Sequence, residues 1–231
     1  MDGFGAGGSV RLVGKEYTMK LTDCISLNAH SSIRFGGDVV LYVDPFHLTE
    51  APHDADVILF THDHYDHFSP ENFAQVAKAD TVYVAPGSMR EALTAAGIGA
   101  AQAVVLEAGE KVEVAGVTIE GVPAYNLNKD FHPNGNGWLG YVLTIEGVRY
   151  YVCGDMDDTP EGRAVACDVL LVPIGGTYTM TATEAAAFAN AVKPKAVVPT
   201  HYGDIVGSPE DADAFEAAVD DGIEVVRKLF V

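Results

Sequence analysis

One stretch of this chain is echoed by another at a nearly fixed distance, and that echo constrains the fold more than any single segment does. The first stretch runs through the apolar strand VVLYV (39–43), Asp44, a loop, DADVILFTHDH, a helix and the strand TVYVAP. The second runs through a strand, Asp155, a loop, ACDVLLVPIGG, the helix-like TATEAAAFANAV and the strand AVVPTH. Asp44 and Asp155 lie 111 positions apart, Asp56 and Asp168 112, and Val82 and Val197 115. A near-constant offset through five elements points to two copies of one βα unit, each needing the other to cover its sheet. The competing arrangement is one continuous α/β sheet.

Between the echoes, local signals are plain. Residues 70–78 (PENFAQVAK) carry a proline in the first turn, an early acid and a late lysine, which predicts a helix. VILF (57–60) and TVYVA (81–85) read as short buried strands. Residues 111–120 alternate around Gly116 as a hairpin does, and 138–145 with 148–152 predict a second hairpin turning at Glu146-Gly147.

Composition narrows the function. With 231 residues, 48% hydrophobic and 20% charged, the chain has material for a full core without disulfide staples. It is expected to form a single domain over 1–231, with the glycine-rich residues 1–8 as a flexible arm. Gly3 to Gly8 resembles a dinucleotide loop but has no strand before it. No apolar run approaches membrane-span length, and the N-terminus lacks a basic-then-apolar leader, so the expected location is the cytoplasm. Fourteen Lys and Arg against 33 Asp and Glu give a formal charge of −19. That leaves little basic surface to displace counterions, and nucleic acid is not an expected partner. The segment 210–224, with seven acids and no base, reads as a solvated helix face. Cys24, Cys153 and Cys167 are odd in number and widely spaced, so they read as core thiols.

The chemistry concentrates in Thr61-His62-Asp63-His64-Tyr65-Asp66-His67. Three of the eight histidines fall within six residues, directly after a buried strand. Strand ends of this kind open into the crevice where α/β proteins place their sites. His62 and His64, two apart in an extended loop, project to one side and can grip one cation, while Asp66 and His67 serve a neighbouring position. Imidazole and carboxylate donors without nearby cysteine suit zinc, manganese or iron. His47 and His53 stand alone and receive no role.

His-x-His-x-Asp-His after a strand resembles the signature of the metallo-β-lactamase superfamily. That resemblance implies an αββα four-layer sandwich of two related βα halves and two divalent metal ions, zinc first and manganese or iron next. It further implies that Asp155, in Tyr-Val-Cys-Gly-Asp, bridges the two metals, and that His201, in Val-Pro-Thr-His-Tyr-Gly, is the last ligand. The remaining motifs are similar to those of small metal-dependent hydrolases related to L-ascorbate-6-phosphate lactonase. They are His30-Ser-Ser, Val43-Asp-Pro-Phe, Leu171-Val-Pro-Ile-Gly-Gly, Thr179-Met and Thr200-His-Tyr-Gly. The di-iron flavoprotein branch is disfavoured, since it places a glutamate where this chain has His64.

One position departs from the family. A third imidazole usually precedes the bridging aspartate, but Pro123-Ala-Tyr-Asn126 puts an amide there. Asn126 is a poor ligand whose amide can contact water or substrate, and His132, six residues on, is the candidate replacement ligand or proton donor. Asp66 is expected to orient the attacking water and accept its proton. Thr177, Tyr178 and Tyr202 stand in loops expected to contact a small-molecule substrate, and Lys129 and Arg34 are candidate partners for an anionic group. The expected activity is hydrolysis of a small ester, lactone, amide or phosphodiester. A non-catalytic sensor of the same fold and a nuclease are the alternatives. Self-association is left open.

Overall fold

The computed structural model describes residues 9–12, 15–18, 20–229 and 231; the expected arm at 1–8 lies outside the described residues. A hairpin of β1 (Ser9–Leu12) and β2 (Lys15–Thr18) comes first. Six strands then form one sheet in chain order: β3 (Ile25–Leu27), β4 (Ile33–Phe35), β5 (Leu41–Val43), β6 (Ala55–Leu59), β7 (Ala77–Pro86) and β8 (Ala103–Leu106). Seven more form a second sheet, again in chain order: β9 (Lys111–Val114), β10 (Val117–Pro123), β11 (Leu139–Ile145), β12 (Val148–Val152), β13 (Val169–Pro173), β14 (Ala196–Thr200) and β15 (Glu224–Val225). Each sheet is antiparallel in its first strands and parallel from β5 or β12 onward. This is the αββα sandwich, with the competing single sheet excluded.

Side-chain alternation sets the layers. Leu41, Val43, Val57 and Leu59 of the first sheet meet Tyr141, Leu143, Val169 and Leu171 of the second in the central core. The alternate residues face outward under helices. Tyr42 and Ile58 pack with Phe73 and Val76 of α1 (Pro70–Val76) and Leu93 of α2 (Arg90–Ala95). The short α3 (Pro160–Arg163) precedes β13. Leu170 and Val172 pack with Ala185 and Phe188 of α4 (Ala182–Val192) and Phe215 of α5 (Pro209–Ala218). Parallel strands covered on both faces read as continuous apolar runs. α5 keeps Glu210, Asp213 and Glu216 exposed while burying Ala212 and Phe215, as its acidic composition predicts.

The two halves repeat in detail. In the first, Asp56 exchanges hydrogen bonds with the backbone of Val40 (2.8 and 2.9 Å) and pairs with Lys78. In the second, Asp168 exchanges them with the backbone of Arg149 (2.9 and 2.8 Å) and pairs with Lys195. The same three-residue clamp thus enters β6 and β13, the strands that carry the echo. Both predicted hairpins form, turning on Ala115-Gly116 and Glu146-Gly147, with both central residues at positive φ in each. The helix expected over 70–78 stops at Val76, where β7 begins.

Candidate metal centre

Asp44 follows β5, Thr61 and the histidine motif follow β6, Asp155 follows β12 and His201 follows β14. These parallel strands end along one edge of the sandwich, so both halves deliver side chains to one crevice. Two separate groups of donors form there, and a third set, His62, His67 and Asp155, links them. His62, His64 and His132 present nitrogens that all lie within 4.8 Å of one another. Three imidazole nitrogens of His30, His67 and His201 and a carboxylate oxygen of Asp66 likewise lie within 4.8 Å of one another. Asp155 stands between the groups: its Oδ1 is 3.4 Å from His67 Nε2, and its Oδ2 is 3.0 Å from His201 Nε2 and 3.3 Å from His132 Nε2. The indole of Trp138 closes one wall of the first group, with ring centroids 4.9, 4.8 and 5.5 Å from those of His62, His64 and His132.

The donors fit cations. Nε2 of His30, His67, His132 and His201, with Oδ1 of Asp155, are buried and lack hydrogen-bond partners. Burying such atoms unpartnered costs about 1–3 kcal/mol each, and several converging on one crevice are what a divalent ion would satisfy. His30 Nε2 lies 3.2 Å from Asp66 Oδ2, but not in hydrogen-bond alignment.

Asp44 organises the imidazoles from behind. Its Oδ2 accepts from His67 Nδ1 at 2.7 Å and from the Thr61 hydroxyl at 2.6 Å, and its Oδ1 accepts from the Thr61 amide at 2.8 Å. A carboxylate behind a histidine fixes the tautomer, leaving Nε2 of His67 as the free donor atom. Because the Thr61 hydroxyl gives its only proton to Asp44, its oxygen accepts from His62 Nδ1 at 2.9 Å. That leaves His62 Nε2 facing the first group, 3.1 Å from His64 Nδ1. One buried carboxylate therefore orients a residue of each group.

Electrostatics follow from this crowding. Burial pushes His62 well below the usual imidazole range, assisted by its neighbours His67 and His132, and burial likewise lowers His64 and His30. His67 is the exception: burial opposes its charge, but Asp155, Asp44 and Asp66 outweigh it and raise the imidazole to about 9. Burial would raise Asp66 and Asp155 too. His30 and His67 instead bring Asp66 down to about 2, and His201, His67 and His132 hold Asp155 well below the carboxylate range. Both carboxylates are anionic at neutral pH.

The backbone bends to assemble the site. His30, Asp44, His132 and His201 all lie in the left-handed region, at φ 51°, 48°, 54° and 58°. Non-glycine residues adopt it at a cost and gather at functional sites. The His201 amide donates to the His30 carbonyl at 2.9 Å, tying the second sheet's last donor to the first sheet's loop. Gly154, at φ +66°, lets Asp155 approach the histidine loop, since a Cβ there would sit 3.1 Å from Thr61 Cβ.

All six residues expected as ligands, His62, His64, Asp66, His67, Asp155 and His201, meet in this crevice. His132 joins the first group, and its loop is held by Asn126. The Asn126 amide nitrogen donates to the carbonyls of Phe131 (2.9 Å) and Tyr178 (2.7 Å), and its backbone N–H donates to the His132 carbonyl at 2.8 Å. The side chain expected to touch substrate thus clasps two loops, keeping only Oδ1 unpartnered. Tyr178 is half-buried against Phe131, and Thr177 is exposed. Tyr202 is a correction: its ring is buried in the core beneath α4 and α5 rather than brought to the crevice, because an aromatic side chain there gains more from packing. The two candidate cations are already engaged, Lys129 by Asp157 and Arg34 by Asp54 (2.8 Å) and Tyr42 (3.0 Å). Sequence reasoning assigned no role to His30 or Asp44. Their signals were His-Ser-Ser before a strand, Asp-Pro after one, and the echo that sets Asp44 against Asp155.

Residues 25–201 match the family model described as the β-lactamase superfamily domain, and the matched span contains every donor named above. The chain belongs to the metallo-β-lactamase superfamily. It is 30% identical over 201 residues to a UPF0173 metal-dependent hydrolase of Methanosphaerula palustris, covering 83% of this chain and 88% of that one. It is 31% identical over 211 residues to one of Thermococcus onnurineus, covering 85% and 92%. A crystal structure named for a metal-dependent hydrolase of Parabacteroides distasonis superposes with a TM-score of 0.73 at 32% identity, covering 98% of this chain and all of that one.

Proposed function

We propose that this protein is a dinuclear metal-dependent hydrolase that uses water to cleave a small ester, lactone, amide or phosphodiester. The observation that carries the reading is the convergence of two donor groups around Asp155, drawn from both halves of the chain. His62, His64 and His132 would hold one ion; Asp66, His67 and His201, with His30 beside them, would hold the other; Asp155 would serve both. Three imidazoles suit zinc, and the mixed nitrogen and oxygen group also accepts manganese or iron. Two bound cations supply a water that ionises near neutral pH and a Lewis acid for the scissile group's oxygen.

The chain's own residues do the rest. Asp66, anionic with its side chain 13% exposed, accepts a hydrogen bond from the attacking water and aims its lone pair. Asp66 takes that water's proton and passes it to the leaving oxygen or nitrogen. His132 in the first group is a ligand, and a ligand's Nε2 cannot also donate a proton, so the replacement-ligand role replaces that of acid. Asp44 and Thr61 hold His62 and His67 in one tautomer. No Ser-His-Asp arrangement is part of the reading; water attacks directly, its oxygen bonding to the carbonyl carbon or phosphorus, and the bond to the leaving oxygen or nitrogen breaks as that atom takes up the proton relayed through Asp66.

The test is hydrolysis by protein purified metal-free and reloaded with zinc or manganese, on a panel of neutral esters, lactones, amides and a phosphodiester. Turnover that needs metal and is lost in Asp66→Ala is expected. A reloaded, folded protein that turns over nothing on the panel would contradict the proposal.

A further inference from the structure

The loops around the crevice carry, among the described residues, exposed apolar side chains and no unpaired lysine or arginine. Among the described residues, five large apolar side chains are exposed, and four of them stand on loops that carry the site: Tyr65 (68%), Leu127 (59%), Phe131 (47%) and Ile205 (37%). Tyr65 lies between His64 and Asp66, Leu127 follows Asn126, Phe131 precedes His132, and Ile205 comes four residues after His201. Phe131 stands edge-on to Tyr178, their centroids 4.8 Å apart, so the Asn126 clasp joins two of these loops beneath an aromatic pair. Exposed apolar residues scattered singly need no explanation, but a set gathered around one polar crevice does.

Charge narrows the occupant. Residues 28–32, 44–50, 61–69, 126–138, 175–181 and 201–208 contain one lysine or arginine, Lys129, and Asp157 already holds it. Asp63 and Asp130 are exposed on the same loops. Away from the metal ions of the hydrolase reading, an anionic substituent at the rim would meet carboxylates and no free side-chain cation to neutralise it. A neutral apolar chain or ring would instead cover side chains that water now wets.

We infer that the centre takes neutral substrates whose acyl portion carries an apolar chain or ring, seated on Leu127 and Phe131, rather than phosphorylated or carboxylated ones. The inference rests on the hydrolase reading and is tested so that the two can fail separately. The first arm follows zinc-reloaded protein on 4-nitrophenyl esters from acetyl to octanoyl, with a hemisuccinyl ester as the anionic control. kcat/KM rises with chain length, by up to about fourfold per buried methylene, and the hemisuccinyl ester falls below butyryl. The second arm needs no turnover: straight-chain acyl hydroxamates are titrated by calorimetry, and affinity rises along the same series. In Leu127→Ser/Phe131→Ser both slopes flatten while zinc content holds.

Hydrolysis with a flat chain-length series overturns the apolar rim and leaves the hydrolase standing. Chain-length-dependent hydroxamate binding without hydrolysis of any ester overturns the hydrolase and leaves the rim. Unchanged slopes in the double variant, or a rim found buried between two copies in solution, overturn the assignment of these side chains.

Discussion

Asp44→Asn isolates the organising carboxylate. Asp44 is 1% exposed and accepts three hydrogen bonds, at 2.6 Å from the Thr61 hydroxyl, 2.7 Å from His67 and 2.8 Å from the Thr61 amide. Asparagine keeps the shape but turns an NH2 toward at least one of these donors. The least costly orientation gives up the Thr61 amide and keeps a neutral carbonyl toward His67. Loss of such a partner behind a ligating histidine typically weakens metal binding about 10–100-fold, or roughly 1.4–2.7 kcal/mol. The structure adds a pH signature. In the metal-free protein His67 titrates at about 9, against the burial that opposes it, because Asp155, Asp44 and Asp66 favour its charge. At pH 7 a metal must displace that proton, about a hundredfold handicap that vanishes above pH 9. Asp44→Asn removes one of the carboxylates that raise His67, so the variant carries a smaller handicap at pH 7. Its deficit is therefore partly masked at pH 7 and widens toward pH 9.5. Competition with a chelator of known affinity across that range reads the deficit directly. Equal affinities, or a deficit that does not change with pH, would refute the reasoning.

Other outcomes follow from the same geometry. Metal-free protein should lose stability as pH rises: the His67 contribution is complete below its unfolded value near 6.5 and disappears as pH passes about 9, a fall that denaturant melts at pH 6.5 and 9.5 detect and metal loading should abolish. Asn126→Ala leaves the Phe131 and Tyr178 carbonyls without the amide donor, so it should cost about 1–3 kcal/mol of stability and weaken retention of one metal equivalent, measured by melting and metal analysis. Gly154→Ala combines φ +66° with a 3.1 Å contact to Thr61 and should destabilise by about 1 kcal/mol or more while lowering metal content. Trp138, the single tryptophan, borders only the first group among the donors named, so its fluorescence should respond to that group's metal and stay silent in His132→Ala.

The fold was legible where physics is local or repeated. The 111–115 offset survived because each half needs the same Asp clamp at the start of its central parallel strand, Asp56 with Val40 and Asp168 with Arg149. Both hairpins were legible because their turns demand positive φ and spell it with glycine. The end of α1 was not: Ala77 and Lys78 suit a helix, but pairing of Ala77 with Ala55 in β6 claims them. At the site, the clustered motif announced itself, whereas His30 was hidden because it reaches the crevice through a left-handed turn that no pattern marks. Asp44, which the echo set against Asp155, carried no sign of its place behind the imidazoles. Tyr202 misled for the opposite reason: it adjoins His201 in sequence, but beyond the end of β14 its ring packs into the core under α4 and α5. Asn126 was visible as an anomaly, yet its function depends on two carbonyls, five and fifty-two residues away.

The central claim is that two donor groups hold two ions across Asp155, and metal titration of the metal-free protein tests it most directly. Zinc should saturate at two equivalents per folded chain, with His132→Ala and His201→Ala each losing one and retaining the other. Saturation of the wild-type protein at a single equivalent, or at none, would contradict the account.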